Sequence, residues 1–265
     1  LEMVLNRGVD PLSGARLGPD TGDPLEFQGF DRLYEAFEKQ LTQVVDLKIR
    51  VNQYIERMFA RYMPAPFLSA VIQDCIQKGR DYYDGGPRYN TNYIQCCGIG
   101  TVTDSLSALK SHVFDSGRLS MREMLDALKE DFRDREPLRQ FLVNRTPKFG
   151  NDDDDADDLM KRVYDSLFRA IEGKPNTKGG SYHLNMLSTT CHVYFGSRLG
   201  ATPDGRHAGF PESDGTSPAH GADRKGPTLA ALWQLQHMAF TPDAQSLSLA
   251  WLAEQLKQAG FEIEL

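Results

Sequence analysis

The thiols are the side chains here with the most chemistry available to them. Cys96 and Cys97 stand side by side where an apolar stretch gives way to Gly98-Ile99-Gly100. A thiol at such a junction could be an exposed nucleophile, but reactive cysteines are tuned by electropositive surroundings, and the nearest basic residue is Arg88. Cysteine is also among the most buried residue types and suits a tight strand–helix junction, so packing is the better reading of the pair. Cys75 and Cys191 stand apart and no C-x-x-C occurs, so reduced thiols in the cytosol are expected rather than a disulfide scaffold.

Other chemistries are thinly represented. The six histidines are dispersed and form no H-E-x-x-H, so no metal site is assigned. Gly98-Ile99-Gly100 opens like a dinucleotide fingerprint, but Thr103 stands where the third glycine belongs; there is no P-loop and no G-x-S-x-G. Residues 151–158 hold six aspartates. Cation loops space their ligands, whereas consecutive carboxylates fit the start of a helix, whose dipole favours negative charge. The long Gly- and Pro-rich stretch 196–227 is the strongest hint of function, since loops of this length inside a compact domain are usually functional. Its Asp204-Gly205 and Ser217-Pro218 turns also suit an ordered structural wrap.

The elements that would position these groups can be read from periodicity. Residues 1–29 are an irregular lead-in rich in Gly and Pro. Phe30, Leu33, Phe37, Leu41, Val44, Val51, Ile55, Met58 and Tyr62 recur at three, four or seven, which predicts one long amphipathic helix ended by Pro64 and Pro66. A second helix is expected over 67–78, with Leu68, Val71, Ile72, Cys75 and Ile76 inward and Gly79 closing it. A turn at 84–87 leads to a strand over 89–95, then a helix from Val102. Ser120-Met121-Arg122-Glu123 reads as a capping box opening a helix to about Phe132, and another helix spans 154–172. Strands are expected over 183–187 and 191–195. Two weak helices at 229–237 and 245–258 and a strand at 261–265 complete the pattern. Strands alternating with helices favour an α/β fold.

Composition bounds the function classes. A chain of 265 residues, 40% hydrophobic and 25% charged, is that of an ordinary globular protein. A formal charge of −7 with scattered Arg and Lys argues against nucleic acid, which demands a basic face. No apolar run reaches the roughly 18–20 residues of a membrane span, and no charged-then-apolar leader opens the chain, so a cytoplasmic protein is expected. The chain opens on Leu1 rather than Met, and an unnatural start is expected.

Several blocks, taken in order, resemble one family. They are Gly8-Val9-Asp10-Pro11-Leu12-Ser13-Gly14 with Gly18-Pro19-Asp20-Thr21-Gly22-Asp23; Arg88-Tyr89-Asn90-Thr91-Asn92-Tyr93-Ile94-Gln95; Thr146-Pro147-Lys148-Phe149-Gly150-Asn151-Asp152-Asp153; the stretch Asn185 to Phe195; and Gly200-Ala201-Thr202-Pro203-Asp204-Gly205-Arg206, continuing to Gly226-Pro227-Thr228. They are similar to the pyruvate formate-lyase-like domain of glycyl radical enzymes, in the branch of hydroxyproline and glycerol dehydratases and choline trimethylamine-lyase. The resemblance covers 1–228, taken as part of that domain, with 229–265 a divergent tail. It implies part of a large α/β barrel with many long helices, a small-molecule substrate, a homo-oligomer, and a glycyl radical installed by a radical-SAM activase, with no bound cofactor.

The resemblance also implies a thiyl cysteine and a base glutamate in a Gly-Cys-x-Glu loop, and a radical glycine in an Arg-Val-x-Gly-Tyr loop. Neither string occurs in this sequence; both loops are expected outside it, before Leu1 and after the end, so no catalytic residue is assigned here. Of the residues present, the turn Leu187-Ser188-Thr189-Thr190 is expected to reach the barrel interior. Thr189 or Thr190 is the leading candidate for a substrate contact, with Tyr93 and Gln95 after them; a Thr-Thr pair also suits a strand on propensity alone. The expectation is an internal fragment of a radical dehydratase or C–X lyase, inactive alone. The alternatives are a non-catalytic module that pairs with a complementary chain, and an unrelated thiol enzyme using Cys97.

Overall fold

A computed structural model describes residues 1–225. The two helices and the strand expected beyond residue 228 lie outside the described residues.

The long helix is present as expected: α2 runs Phe30–Tyr62 without interruption, following the short α1 (Glu2–Leu5). Its first half buries Leu33, Tyr34, Ala36, Phe37, Gln40, Val45 and Ile49. Beyond Ile49 the apolar stripe continues with little cover among the described residues: Val51, Tyr54, Ile55, Met58, Phe59 and Tyr62 are all exposed, and only the Phe59 ring meets another, that of Tyr83, at 5.3 Å. The single helix expected over 67–78 is instead two short ones, α3 (Pro66–Ser69) and α4 (Gln73–Lys78). The Asp81 carboxylate explains the break, accepting bonds from Ala65 N and Ser69 Oγ and so fixing α3 against the following turn. Of the five side chains expected inward, only Cys75 is buried; Val71 and Ile76 are exposed. Gly79 closes α4 in the left-handed region, at φ 60°, as a C-terminal glycine should.

Strand β1 (Asn92–Gln95) feeds α5 (Ile99–Ala108), which continues as a π-helical stretch through Leu109–Asp115. The capping box is formed: Ser120 and Glu123 satisfy each other's backbone donors at the head of α6 (Met121–Lys129). Helix α7 (Glu136–Arg145) has no counterpart in the sequence reading, because its inward set is short: Leu142 is buried and Leu138 and Phe141 are only partly covered against the core. Helix α8 (Asp154–Ile171) begins where the aspartate run predicts, with Asp153 as its cap and Asp154, Asp155 and Asp157 in its first turn.

Strand β2 (Tyr182–Asn185) pairs parallel with β1, placing Asn92 opposite Tyr182, Tyr93 opposite His183, Ile94 opposite Leu184 and Gln95 opposite Asn185. The expected strand over 191–195 is a helix, α9 (Cys191–Gly196). Its β-branched and aromatic residues look like a strand, yet Thr190 already has helical backbone angles, so the chain coils from the turn onward.

Alternation along the strands puts Ile94, Tyr182 and Leu184 on one face, packed with Val45 and Ile49 of α2 and Ala170 and Ile171 of α8. The other face carries Tyr93, Gln95, His183 and Asn185. The larger core joins α1, the first half of α2, α5, α6, α7 and α8 around Leu33, Tyr34, Leu106, Met124, Leu142 and Met160.

Candidate functional site

The candidate site forms where the two strands end. Gln95, the last residue of β1, donates from Nε2 to Leu187 O and, at 2.9 Å, to Cys96 O. This bond ties the exit of β1 to the turn that follows β2. Two residues further along that turn, the Thr189 hydroxyl is buried and has no hydrogen-bond partner among the described residues. Buried hydroxyls are normally satisfied, and leaving one unpaired costs about 1–3 kcal/mol. The neighbouring backbone is fixed: His192 Nδ1 lies 2.6 Å from Thr189 O, and the His192 and His220 rings approach to 5.6 Å.

Of the four expected substrate contacts, Gln95 is bonded to Leu187, two residues before Thr189 in the same turn. Tyr93 shares the face of Gln95 but is 62% exposed, its ring 6.1 Å from that of His183. Thr190 starts α9, its side chain exposed and making no capping bond.

Over its described residues, to Lys225, the long loop is an ordered wrap against this junction. Thr101 and Ser213 exchange bonds, Thr101 N donating to Ser213 Oγ at 3.1 Å and Ser213 N to Thr101 Oγ1 at 2.8 Å. Gly98 N donates to Ser213 O at 2.8 Å. A side chain at Gly100 would stand 2.5 Å from Ser217 O, which is why the strand–helix junction needs glycine there. The fingerprint-like Gly98-Ile99-Gly100 therefore serves close packing of the loop. Cys96 and Cys97 lie in the same junction, where burial pushes their thiols up to about 11 and about 12, with Glu212 adding to the effect on Cys97. Thiols held protonated in this way are poor nucleophiles, in keeping with the packing reading.

Between the loop and α7 lies a cavity of ≈ 480 Å³, lined among others by Thr101, Arg139, Lys148, Asp204, Arg206 and His220. Two of the sequence blocks meet there. Arg206 donates to Thr202 Oγ1 and to the carbonyls of Gly200, His207 and Phe210, locking the Gly200–Arg206 turn. Asp204 accepts from Ser105 Oγ at 3.1 Å, and Ser107 Oγ donates to Pro147 O at 2.7 Å. Lys148 lies 3.5 Å from Asp104, the pair being almost wholly buried. Burial raises Asp104 to about 7, with Lys148 opposing the rise. Sequence reasoning missed this pair: Lys148 stood inside a quoted block, but nothing marked Asp104 as other than a helical surface residue. Among the described residues, no three His, Cys, Asp or Glu side chains gather to hold a metal. No described helix is long and apolar enough to cross a membrane.

Comparison with known proteins agrees with this architecture. The pyruvate formate lyase-like family model matches residues 1–196. The trans-4-hydroxy-L-proline dehydratase of Clostridioides difficile is 48% identical over 228 residues, covering 86% of this chain and 29% of its own length. The (2S)-3-sulfopropanediol dehydratase of Klebsiella oxytoca is 35% identical over 222 residues, covering 83% and 27%. Among solved structures, the hydroxyproline dehydratase of Clostridioides difficile with trans-4-hydroxy-L-proline bound superposes with a TM-score of 0.85 at 46% identity, over 88% of this chain and 30% of that one. The glycerol-bound B12-independent glycerol dehydratase of Clostridium butyricum gives 0.84 at 35%, over 89% and 30%. The chain therefore spans about 30% of the length of the solved relatives it matches. On a family match over most of its length, and with a fold that is part of the glycyl radical enzymes' α/β barrel, the chain belongs to the pyruvate formate lyase-like family.

Proposed function

We propose that this chain forms part of the barrel wall and one side of the substrate pocket of a glycyl radical dehydratase or C–X lyase acting on a small hydroxylated or amino substrate. The observation that carries this reading is the buried Thr189 hydroxyl, which has no partner among the described residues, in the turn after the strand pair. An unpaired buried donor and acceptor is what a hydroxylated ligand would complete, and a site built this way rejects analogues lacking the matching group. Gln95 positions the turn through Leu187, and Tyr93 offers an aromatic wall on the same face. Thr190, at the head of α9, is a further contact.

In this reading the chain's own residues bind, orient and shield. A radical supplied elsewhere, in a Gly-Cys-x-Glu loop and an Arg-Val-x-Gly-Tyr loop, would perform hydrogen abstraction; this chain contains neither string, so no step of that chemistry is assigned to it. The reading carries with it a radical-SAM activase as partner, a homo-oligomeric assembly and a cytoplasmic setting, and it makes the chain alone inactive. The test is anaerobic incubation of the chain with a radical-SAM activase and S-adenosylmethionine, followed by EPR, beside ligand-observed NMR with trans-4-hydroxy-L-proline and glycerol. The expected result is no glycyl signal and weak, Thr189-dependent binding. A stable organic radical on this chain would overturn the assignment of roles.

A second reading is favoured by the little-covered apolar stripe of α2 beyond Ile49: a split-subunit module that pairs with a complementary chain. A stoichiometric complex with a separately produced piece bearing the Gly-Cys-x-Glu loop would support it, and indifference to that piece would count against it.

A further inference from the structure

Three side chains at the start of β2 stand in a line that the proposed radical chemistry does not use. Ser181 Oγ lies 2.9 Å from His183 Nε2, and His183 Nδ1 is bonded to Glu172 Oε1. The second Glu172 oxygen accepts from Leu184 N at 3.4 Å, so the carboxylate at the end of α8 is held from two sides. A carboxylate accepts hydrogen bonds, so the contact with Glu172 matches the tautomer that carries its proton on Nδ1. In that tautomer Nε2 presents its lone pair to Ser181 and accepts the hydroxyl proton.

The hydroxyl is not needed to hold its own turn. Asn176 Oδ1 accepts from Lys178 N and Gly180 N, each at 2.9 Å, and backbone bonds join Asn176 N to Gly180 O and Tyr182 N to Lys174 O. The group is also reachable, with the His183 and Glu172 side chains 35% and 29% exposed. The exposed ring of Tyr93 stands beside His183, giving an aromatic surface on which an aryl group could lie.

Hydroxyl, base and orienting carboxylate, linked through the correct ring nitrogens, are the geometric signature of an activated nucleophile. We propose that Ser181, His183 and Glu172 form a triad that hydrolyses small aryl esters, with Ser181 as nucleophile, His183 as base and Glu172 holding the ring. Ser181 Oγ attacks the ester carbonyl while its proton passes to His183 Nε2. The bond between the acyl carbon and the aryloxy oxygen breaks, and the departing phenolate takes that proton. Water then attacks the acyl-serine, losing its proton to His183, which returns it to Ser181 as the carboxylic acid leaves; Glu172 stays ionised throughout.

The experiment treats the whole chain with a fluorophosphonate probe, whose P–F bond breaks as a serine oxygen bonds to phosphorus, and maps the adduct by peptide mass spectrometry. The rate of 4-nitrophenyl acetate hydrolysis is measured in parallel. The expected adduct is on Ser181, and His183→Gln should slow both reactions by about 10²-fold or more. Glu172→Gln should slow them less, because the ring is then only misoriented. No adduct, an adduct on another serine, or the same ester hydrolysis after Ser181→Ala would overturn the proposal. The wild-type adduct map decides the matter without any variant having to fold. Since no radical takes part, the outcome is independent of the EPR result.

Discussion

At the residue scale, Thr189 gives the sharpest test. Thr189→Val keeps the shape and removes a hydroxyl that has no partner among the described residues, so thermal stability should hold or rise. Ligand binding should weaken by roughly 2- to 10-fold, the worth of one neutral hydrogen bond; equal binding by the two forms would remove Thr189 from the pocket. The buried Asp104–Lys148 pair tests the electrostatics. Burial raises Asp104 from 3.8 to about 7, so the folded state holds a proton that the unfolded chain releases at lower pH. Its contribution to stability is complete below about 4 and is lost as pH rises through about 7. Lys148→Met removes the cation that opposes this rise, and breaking a buried pair costs about 3–5 kcal/mol. The gap in melting temperature between pH 5 and pH 8 should therefore widen, whereas in Asp104→Asn it should shrink. Thiol chemistry supplies a third check, since Cys96 and Cys97 are held protonated while Cys191 is exposed. Timed alkylation at neutral pH should modify Cys191 first, and early modification of Cys97 would revive the thiol-enzyme alternative. The residue types at 93, 95 and 189 were readable as candidates, but not the orphaned state of the Thr189 hydroxyl, which arises only when the turn after β2 folds against the long loop.

At the element scale, sequence and structure part company where packing rather than pattern decides. Helix α2 was legible because its apolar residues recur over nine turns, the head of α6 because a capping box is a local device, and the start of α8 because consecutive aspartates have few other uses. Helix α7 was invisible: fully buried only at Leu142, it packs on the core with Leu138 and Phe141 and reaches the long loop through Arg139, which bonds Gly205 O. Segment 191–195 was misread because short runs of Val, Tyr and Phe favour strands unless a preceding turn forces them into a helix. Two substitutions probe these elements. Ser120→Ala removes the α6 cap and should cost about 1 kcal/mol by chemical denaturation. Gly100→Ala drives a methyl group into Ser217 O and should cost about 1–3 kcal/mol; it should also loosen the loop, read as faster amide exchange at Thr101 and Ser213. Protection unchanged in that variant would mean the loop is anchored elsewhere.

At the scale of the whole molecule, the fold class was legible, and so was the fact that only part of the barrel is present. The quoted blocks pointed to the barrel, and the solved relatives confirm the part present over about 30% of their length. Periodicity says which face of α2 is apolar but not what covers it. With Tyr54, Ile55, Met58, Phe59, Tyr62 and Phe67 exposed together, the chain should self-associate, because apolar patches of this size mark interaction surfaces or aggregation. Sedimentation across a concentration series should show it, and a single monomeric species throughout would refute it.

The parallel pairing of β1 with β2 carries a consequence for how the chain reaches its structure. Every residue from α5 to α8 lies between the two strands, so their hydrogen bonds close a very long loop, and that loop entropy must be met before the pairing stabilises anything. The core built from α5 and α8 brings the strands within reach and must condense first. Substitutions at Leu106 or Met160 should then slow folding, whereas substitutions at Ile94 or Tyr182 should chiefly speed unfolding.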